Sequence, residues 1–276
     1  MNALNAILTR VSHALLTPFA ALPLVGLLFW SAVAGVVMTL VFGRTSNQRA
    51  LAAAADRTRA QLLAIRLFKD DLGVALRAQV ELLKATGWRL LHSLPPMLVM
   101  AVPFVLVLAQ LSLWYEHRPL VPGERTIIAV QLAPQAWTQS RDVELEAPPS
   151  VAVETAALRD GTDRTLYWRL RALKPGPVTL RWQFGPRVVE KQLALAENPR
   201  RLQRVSVRRP GAGILDRLLN PGEPGFGADS PVQAIVVRHP SRRTPVLGLD
   251  LPWWATFVLA SIVAALVVRP LLRVRF

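Results

Sequence analysis

Three stretches without a single Asp, Glu, Lys or Arg decide most of what this chain can be: Val11 to Gly43, Leu90 to Tyr115 and Leu251 to Val268. An ionised side chain at the bilayer centre costs about 2.5–3.5 kcal/mol on insertion scales, and a soluble domain has no reason to segregate its charges in this way. Crossing a hydrocarbon core takes ~20 helical residues. Phe19 to Gly43 supplies 25, Pro95 to Leu113 supplies 19, and Leu251 to Val268 supplies 18. Pro23 suits a first helical turn or a kink, and Pro95-Pro96 suits a helix start. Trp114, Tyr115, Trp253 and Trp254 fall at span ends, as an interfacial aromatic belt requires, whereas Trp30, near the middle of the first span, reads as packing. Only 18% of residues are charged, against about 25% in an average soluble protein. The chain is therefore expected to be a multi-pass integral membrane protein.

Orientation follows from Lys and Arg in the short flanking segments. The N-terminal flank carries one basic residue, Arg10; the segment 44–94 carries nine; the C-terminal tail adds Arg269, Arg273 and Arg275. The long segment 116–250 holds 20 basic against 14 acidic residues, but large domains cross membranes largely regardless of charge. The expected organisation is 1–43, an N-terminal flank outside and the first span; 44–94, cytoplasmic; 95–115, the second span; 116–250, outside; and 251–276, the third span with a cytoplasmic tail. The first apolar run is too long for a cleaved signal peptide, and its positive flank follows rather than precedes it.

Residues 48–69 carry Leu51, Ala55, Leu62, Ile65 and Phe68 at three- and four-residue steps, the period of an amphipathic helix. Asp70 and Asp71 suit the cap of a second helix bearing Leu72, Leu76, Val80 and Leu83, and Gly87 permits a break before the second span. The expectation is a cytoplasmic helical hairpin or coiled coil, each arm near 30 Å at 1.5 Å per residue. Arg44, Arg49, Arg57, Arg59 and Arg66 give it a basic character suited to docking a partner or to anionic headgroups, which attract each arginine by about 1 kcal/mol.

Beyond Arg118 the period changes to two. Strands are expected at Thr126–Leu132, Asp142–Glu146, Val151–Glu154, Thr165–Ala172, Val178–Phe184, Val188–Leu195, Arg204–Arg208 and Val232–Arg238. Turns at Lys174-Pro175-Gly176 and Gly185-Pro186 separate the clearest of them. Short strands broken every 8–12 residues indicate an immunoglobulin-like β-sandwich. The Gly/Pro-rich stretch 210–231, around a helical turn at Ile214–Leu219, is the best candidate for a mobile contact, with a plain surface loop the favoured reading.

The chain has no cysteine, which excludes disulfides, thiolate metal sites and cysteine nucleophiles. His13, His92, His117 and His239 have no ligand-spaced companions. No phosphate-binding, zinc-protease or hydrolase motif occurs. Of the 33 basic residues, 29 are arginine, a skew that fits a GC-rich genome. They are spread over two compartments rather than gathered as nucleic-acid binding requires. No enzymatic activity, cofactor, metal or nucleic-acid partner is expected.

The order of elements and the stretch Leu82-Leu-Lys-Ala-Thr-Gly-Trp-Arg-Leu-Leu-His-Ser-Leu-Pro-Pro-Met-Leu-Val-Met-Ala-Val-Pro-Phe104 resemble the YidC-type membrane protein insertase superfamily. The matching positions are Leu83, Lys84, Gly87, Leu94, Pro96, Met97 and Pro103, and Arg44-Thr-Ser-Asn-Gln-Arg49 resembles the polar entry to that family's cytoplasmic hairpin. The likeness covers 15–115 and 251–276. It implies a hydrophilic groove among the spans, for which this chain offers Ser31, Thr39, Gln110 and Ser261 but no charged residue. It also implies a role in assisting membrane protein insertion, folding or assembly in a bacterial inner membrane, with lipids and a client or complex subunits as partners. A scaffold subunit joining partners on the two sides is the alternative.

Overall fold

The spans form where the charge gaps require them. In this computed structural model, which describes residues 2–46, 53, 56, 72–139, 143–246 and 248–272, helix α1 covers Asn2–Leu16 and α2 covers Pro23–Thr45. Helix α3 covers Leu72–Tyr115, and the remaining helices are α4 (Pro134–Gln139), α5 (Ile214–Leu219) and α6 (Trp253–Leu272). Three helical segments are long and apolar enough to cross a membrane: Pro23–Thr45, Met97–Tyr115 and Trp253–Leu272. Their bounds differ from the expected ones by two to four residues. Phe19 falls instead in a short 3-10 turn, Thr17–Phe19.

One expectation is corrected. Helix α3 runs for 44 residues through both Gly87 and Pro95-Pro96, with no break and no new helix start. Glycine costs a helix only about 1 kcal/mol, and Gly87 does not adopt positive φ. Internal prolines are tolerated in membrane helices because neighbouring groups, ordered water and small local adjustments re-satisfy the freed backbone. Val80 and Leu83, expected on a face buried by the first arm, are 50% and 72% exposed. Of that first arm only Ala53 and Asp56 are described, both helical; Asp70 and Asp71 lie outside the described residues.

The chain divides into two compact units: Met1–Leu27 with Val105–Ala255, and Leu28–Phe104 with Thr256–Phe276. The first holds the β-module. Its strands are β1 (Arg125–Leu132), β2 (Leu145–Glu146), β3 (Val151–Val153), β4 (Leu158–Asp160), β5 (Thr165–Ala172), β6 (Gly176–Phe184), β7 (Arg187–Leu195), β8 (Arg208–Arg209) and β9 (Val232–Val237). One sheet runs β3-β5-β1-β9-β8 with β4 also on β5; the other runs β2-β6-β7. All named strand pairs are antiparallel. Alternation places Ile128, Val130, Trp168 and Leu170 of one sheet, and Val178, Leu180, Trp182 and Leu193 of the other, in one shared core. Trp168 and Trp182 meet across it at 6.0 Å. Only Arg208 of the expected strand at 204–208 is in a ladder.

In the same unit α1 was not anticipated. Its polar face turns inward: Asn5 Nδ2 donates to the Arg217 carbonyl at 2.7 Å. Ile7, Val11 and Leu15, four residues apart, form an exposed apolar stripe on it. Gly26 brings the start of α2 against the chain before it and the end of α3. A Cβ there would stand 2.6 Å from Phe19 Cβ and 2.9 Å from Tyr115 Oη.

In the second unit α2 and α6 touch backbone to backbone. A Cβ on Gly35 would lie 2.2 Å from the Ser261 carbonyl oxygen, inside any tolerable contact. Phe104 of α3 meets Phe257 of α6 at 6.0 Å, and Phe42 packs with Met100 and Leu272. Such small-residue contacts are how helices approach closely in lipid. Gly35→Val should therefore lower the thermal unfolding midpoint of the detergent-solubilised protein, read by tryptophan fluorescence. Gly87→Ala, where a Cβ meets nothing within 4 Å, should leave the midpoint equal or higher.

Candidate functional site

Of the four residues expected to line a polar groove, Ser31, Thr39 and Ser261 belong to the second unit and Gln110 to the first. Ser31 is fully buried. Thr39 Oγ1 donates to the Gly35 carbonyl at 2.8 Å, and Ser261 Oγ donates to the Val258 carbonyl at 2.8 Å. Each of these two hydroxyls is spent on its own helix, a common way to hide a hydroxyl within a span. Gln110 is buried and faces α1: its Oε1 lies 3.1 Å from Ser12 Oγ and its Nε2 lies 3.4 Å from Thr9 Oγ1. It ties a span to the preceding amphipathic helix.

What the second unit does offer is an apolar trough of about 300 Å³, lined by residues of α2, α3 and α6. Met38, Met97 and Met100 are on its wall, beside Gly35, Phe104 and Ser261. The chain has four methionines, and these three are all of them except Met1. Methionine has an unbranched, polarisable side chain that adapts to irregular apolar shapes, so its concentration at one concavity is a chemical property of that site. The sequence signal was present in Met38 and the pair Met97/Met100, but periodicity does not reveal which helix faces another.

Of the expected docking arginines only Arg44 is described. It is exposed in the last turn of α2, where a cation favours the helix dipole. Arg49, Arg57, Arg59 and Arg66 lie outside the described residues. On α3, Leu83, Trp88, Leu90, Leu91 and Leu94 are exposed, and Lys84 pairs with Glu81 at 2.9 Å.

In the β-module the Gly/Pro-rich stretch 210–231 is held by hydrogen bonds at several points. Arg217 Nε donates to the Gly211 carbonyl at 2.9 Å, Phe226 N donates to the Pro210 carbonyl at 2.9 Å, and Asp216 takes Arg208 Nε at 2.8 Å. Its innermost anchor is Glu223, which accepts from Lys191 Nζ and from the Gln192 amide at 3.1 Å. The Lys191 side chain is 0% exposed and also donates to the Ser206 carbonyl at 2.6 Å. Burial pulls the Lys191 pKa down and the Glu223 carboxylate opposes it. Burial, reinforced by the Lys191 charge, likewise holds His239 down to about 3, although the Val237 carbonyl favours its protonated form. On the module's surface three guanidiniums, of Arg125, Arg169 and Arg171, surround the single Glu154 carboxylate at 3.0–3.1 Å. Hydrogen bonding from Arg125 lowers the Glu154 pKa.

Among the described residues no three His, Asp or Glu side chains are grouped to hold a metal ion. No family model, curated protein or solved structure matches the chain significantly.

Two measurements test the module's polar core. Glu223→Gln leaves a buried ammonium without its counter-ion and should cost about 3–5 kcal/mol, whereas the double change Lys191→Met with Glu223→Leu should be far milder or stabilising. Denaturant titration monitored by tryptophan fluorescence distinguishes them. His239 is neutral when folded but takes a proton below its ordinary value of 6.5 when unfolded, so the unfolded state binds more protons in acid. Stability should be complete above pH 6.5 and fall progressively toward pH 3. His239→Gln should flatten that part of the profile.

Proposed function

We propose that this is a non-enzymatic, bacterial inner-membrane protein of YidC-type insertase fold, working without cofactor to assist insertion, folding or assembly of other membrane proteins. The methionine-lined trough carries this reading. A client's apolar segments vary in shape, and a wall that receives them must repack around each; flexible methionines at promiscuous surfaces do this. Thr39 and Ser261 spend their hydroxyls on their own carbonyls, which favours apolar contact with the client over a hydrophilic groove.

In this reading the N-terminus and residues 116–250 are outside, and 44–94 and the C-terminus are in the cytoplasm, following the positive-inside rule. The arm beginning at Arg44 receives the client or a cytoplasmic partner. The β-module is of immunoglobulin-like type, supported by its two antiparallel sheets over a shared core containing Trp168 and Trp182, and it meets the emerging product or a periplasmic protein. The alternative role, a scaffold subunit of a membrane complex, draws support from the exposed Leu83, Trp88, Leu90, Leu91 and Leu94 of α3, which a stable partner would cover.

A photocrosslinking amino acid placed at Met38, Met100 or Phe104 should capture short ribosome-bound nascent spans. The same probe at Val267, 64% exposed on α6, should capture far less. Equal capture at all four positions, or crosslinks only to one or two stoichiometric proteins, would overturn the client-binding role; the second result would establish the scaffold.

A further inference from the structure

We infer that a pocket in the first unit binds the phosphate-ester headgroup of an anionic phospholipid, in the leaflet that meets the β-module. The cavity measures about 470 Å³, and its wall includes His13, Thr17, Trp114, Gln192, Arg201 and Arg204. Among the described residues, the Arg201 and Arg204 side chains make no ion pair or hydrogen bond. The nearby acid that contacts the Gln192 amide, Glu223, is already committed to Lys191. The pocket is therefore cationic and uncompensated. Guanidinium forks match phosphate oxygens in charge and in geometry.

The same wall carries the exposed Gln192, whose side-chain amide can donate to a phosphate or ester oxygen. Pro177 and Ala194 add apolar wall suited to the glycerol and first methylenes of a lipid rather than to a bare ion.

Depth favours lipid over a soluble phosphate. The strand of chain bearing both arginines is strapped across the ends of two spans. Leu202 N donates to the Ala20 carbonyl at 2.8 Å, three residues before α2 starts, and Val205 N donates to the Leu113 carbonyl at 2.7 Å, in the last turn of α3. Arg201 and Arg204 consequently stand at headgroup level. Beside them α1, which contributes His13 to the cavity wall, turns its exposed Ile7, Val11 and Leu15 stripe outward, as an interfacial helix does.

The full-length protein in mixed micelles, titrated with phosphatidylglycerol and with phosphatidylcholine and followed by native mass spectrometry, tests this. Phosphatidylglycerol should be retained at least about tenfold more strongly than the zwitterionic lipid, and Arg201→Gln with Arg204→Gln should remove that preference. Arg204→Lys, which keeps the charge but not the fork, should lose only part of it. Equal retention of the two lipids by the wild type, or an unchanged preference in the double variant, would overturn the proposal. So would displacement of phosphatidylglycerol by free glycerol phosphate at equal concentration, which would assign the site to a soluble phosphate ester. Thermal unfolding checks that the variants fold; should the double variant not fold, Arg204→Gln alone and the wild-type lipid comparison decide.

Discussion

Hydrocarbon offers no hydrogen bonds, and that single deficiency organises the molecule. Every polar group that enters lipid must bring its partner along. Five hydroxyls within or beside the spans do so by bonding back along their own helix: Thr39 to Gly35, Thr45 to Val41, Ser46 to Phe42, Ser112 to Ala109 and Ser261 to Val258; the buried Thr256 hydroxyl of α6 makes no such bond. Gln110 cannot reach its own backbone in this way and draws in Thr9 and Ser12 of α1 instead. The amphipathic helix is thus held by the one primary amide in the spans. Its outward face is left with Ile7, Val11 and Leu15 because its polar side is already engaged. The same requirement acts at the span ends, where the carbonyls of Ala20 and Leu113 accept from Leu202 and Val205 of the β-module.

Inside the β-module the opposite choice was made once. A lysine and a glutamate are fully withdrawn from water at Lys191 and Glu223, where an apolar pair would do at least as well for stability. What the ion pair adds is register. Glu223 also accepts from the Gln192 amide, and Lys191 also donates to the Ser206 carbonyl, so the pair fixes two points of the chain against β7, one just before the 210–231 stretch and one inside it. A greasy plug could slide by a residue; a two-sided charged contact cannot. Because the 201–206 segment is held there, Arg201 and Arg204 are presented at a defined place.

How much of this could be read beforehand depended on the range of the forces involved. Charge exclusion from lipid acts residue by residue, and the three spans were legible to within a few residues. Alternation at Thr165–Ala172 gave the strand at its observed ends, and the helical turn Ile214–Leu219 was placed as found. α3 continues through Gly87 and Pro95-Pro96: a single glycine costs a helix only about 1 kcal/mol, and backbone groups freed by prolines at a span can be re-satisfied by their surroundings. The short strand Leu158–Asp160 has no apolar alternation of its own and exists by pairing with β5. Polarity singles out Ser31, Thr39, Gln110 and Ser261 but does not tell whether a hydroxyl faces a lumen or its own carbonyl. The methionine trough escaped notice because it depends on which faces of three distant segments meet.

That trough follows from the packing around it. Gly35 lets α2 and α6 come together until only backbone separates them, and Phe104 against Phe257 sets the spacing of α3 and α6 at a ring-to-ring contact of 6.0 Å. A glycine contact and an aromatic contact demand different interhelical distances, so the surface between them cannot close, and a concavity remains. Branched side chains would leave part of such an irregular space empty and forfeit dispersion contacts there. Met38, Met97 and Met100 have unbranched, flexible side chains that can follow so irregular a surface. The close contact therefore does two things at once: it fastens two helices together, and it leaves a methionine-lined concavity beside them.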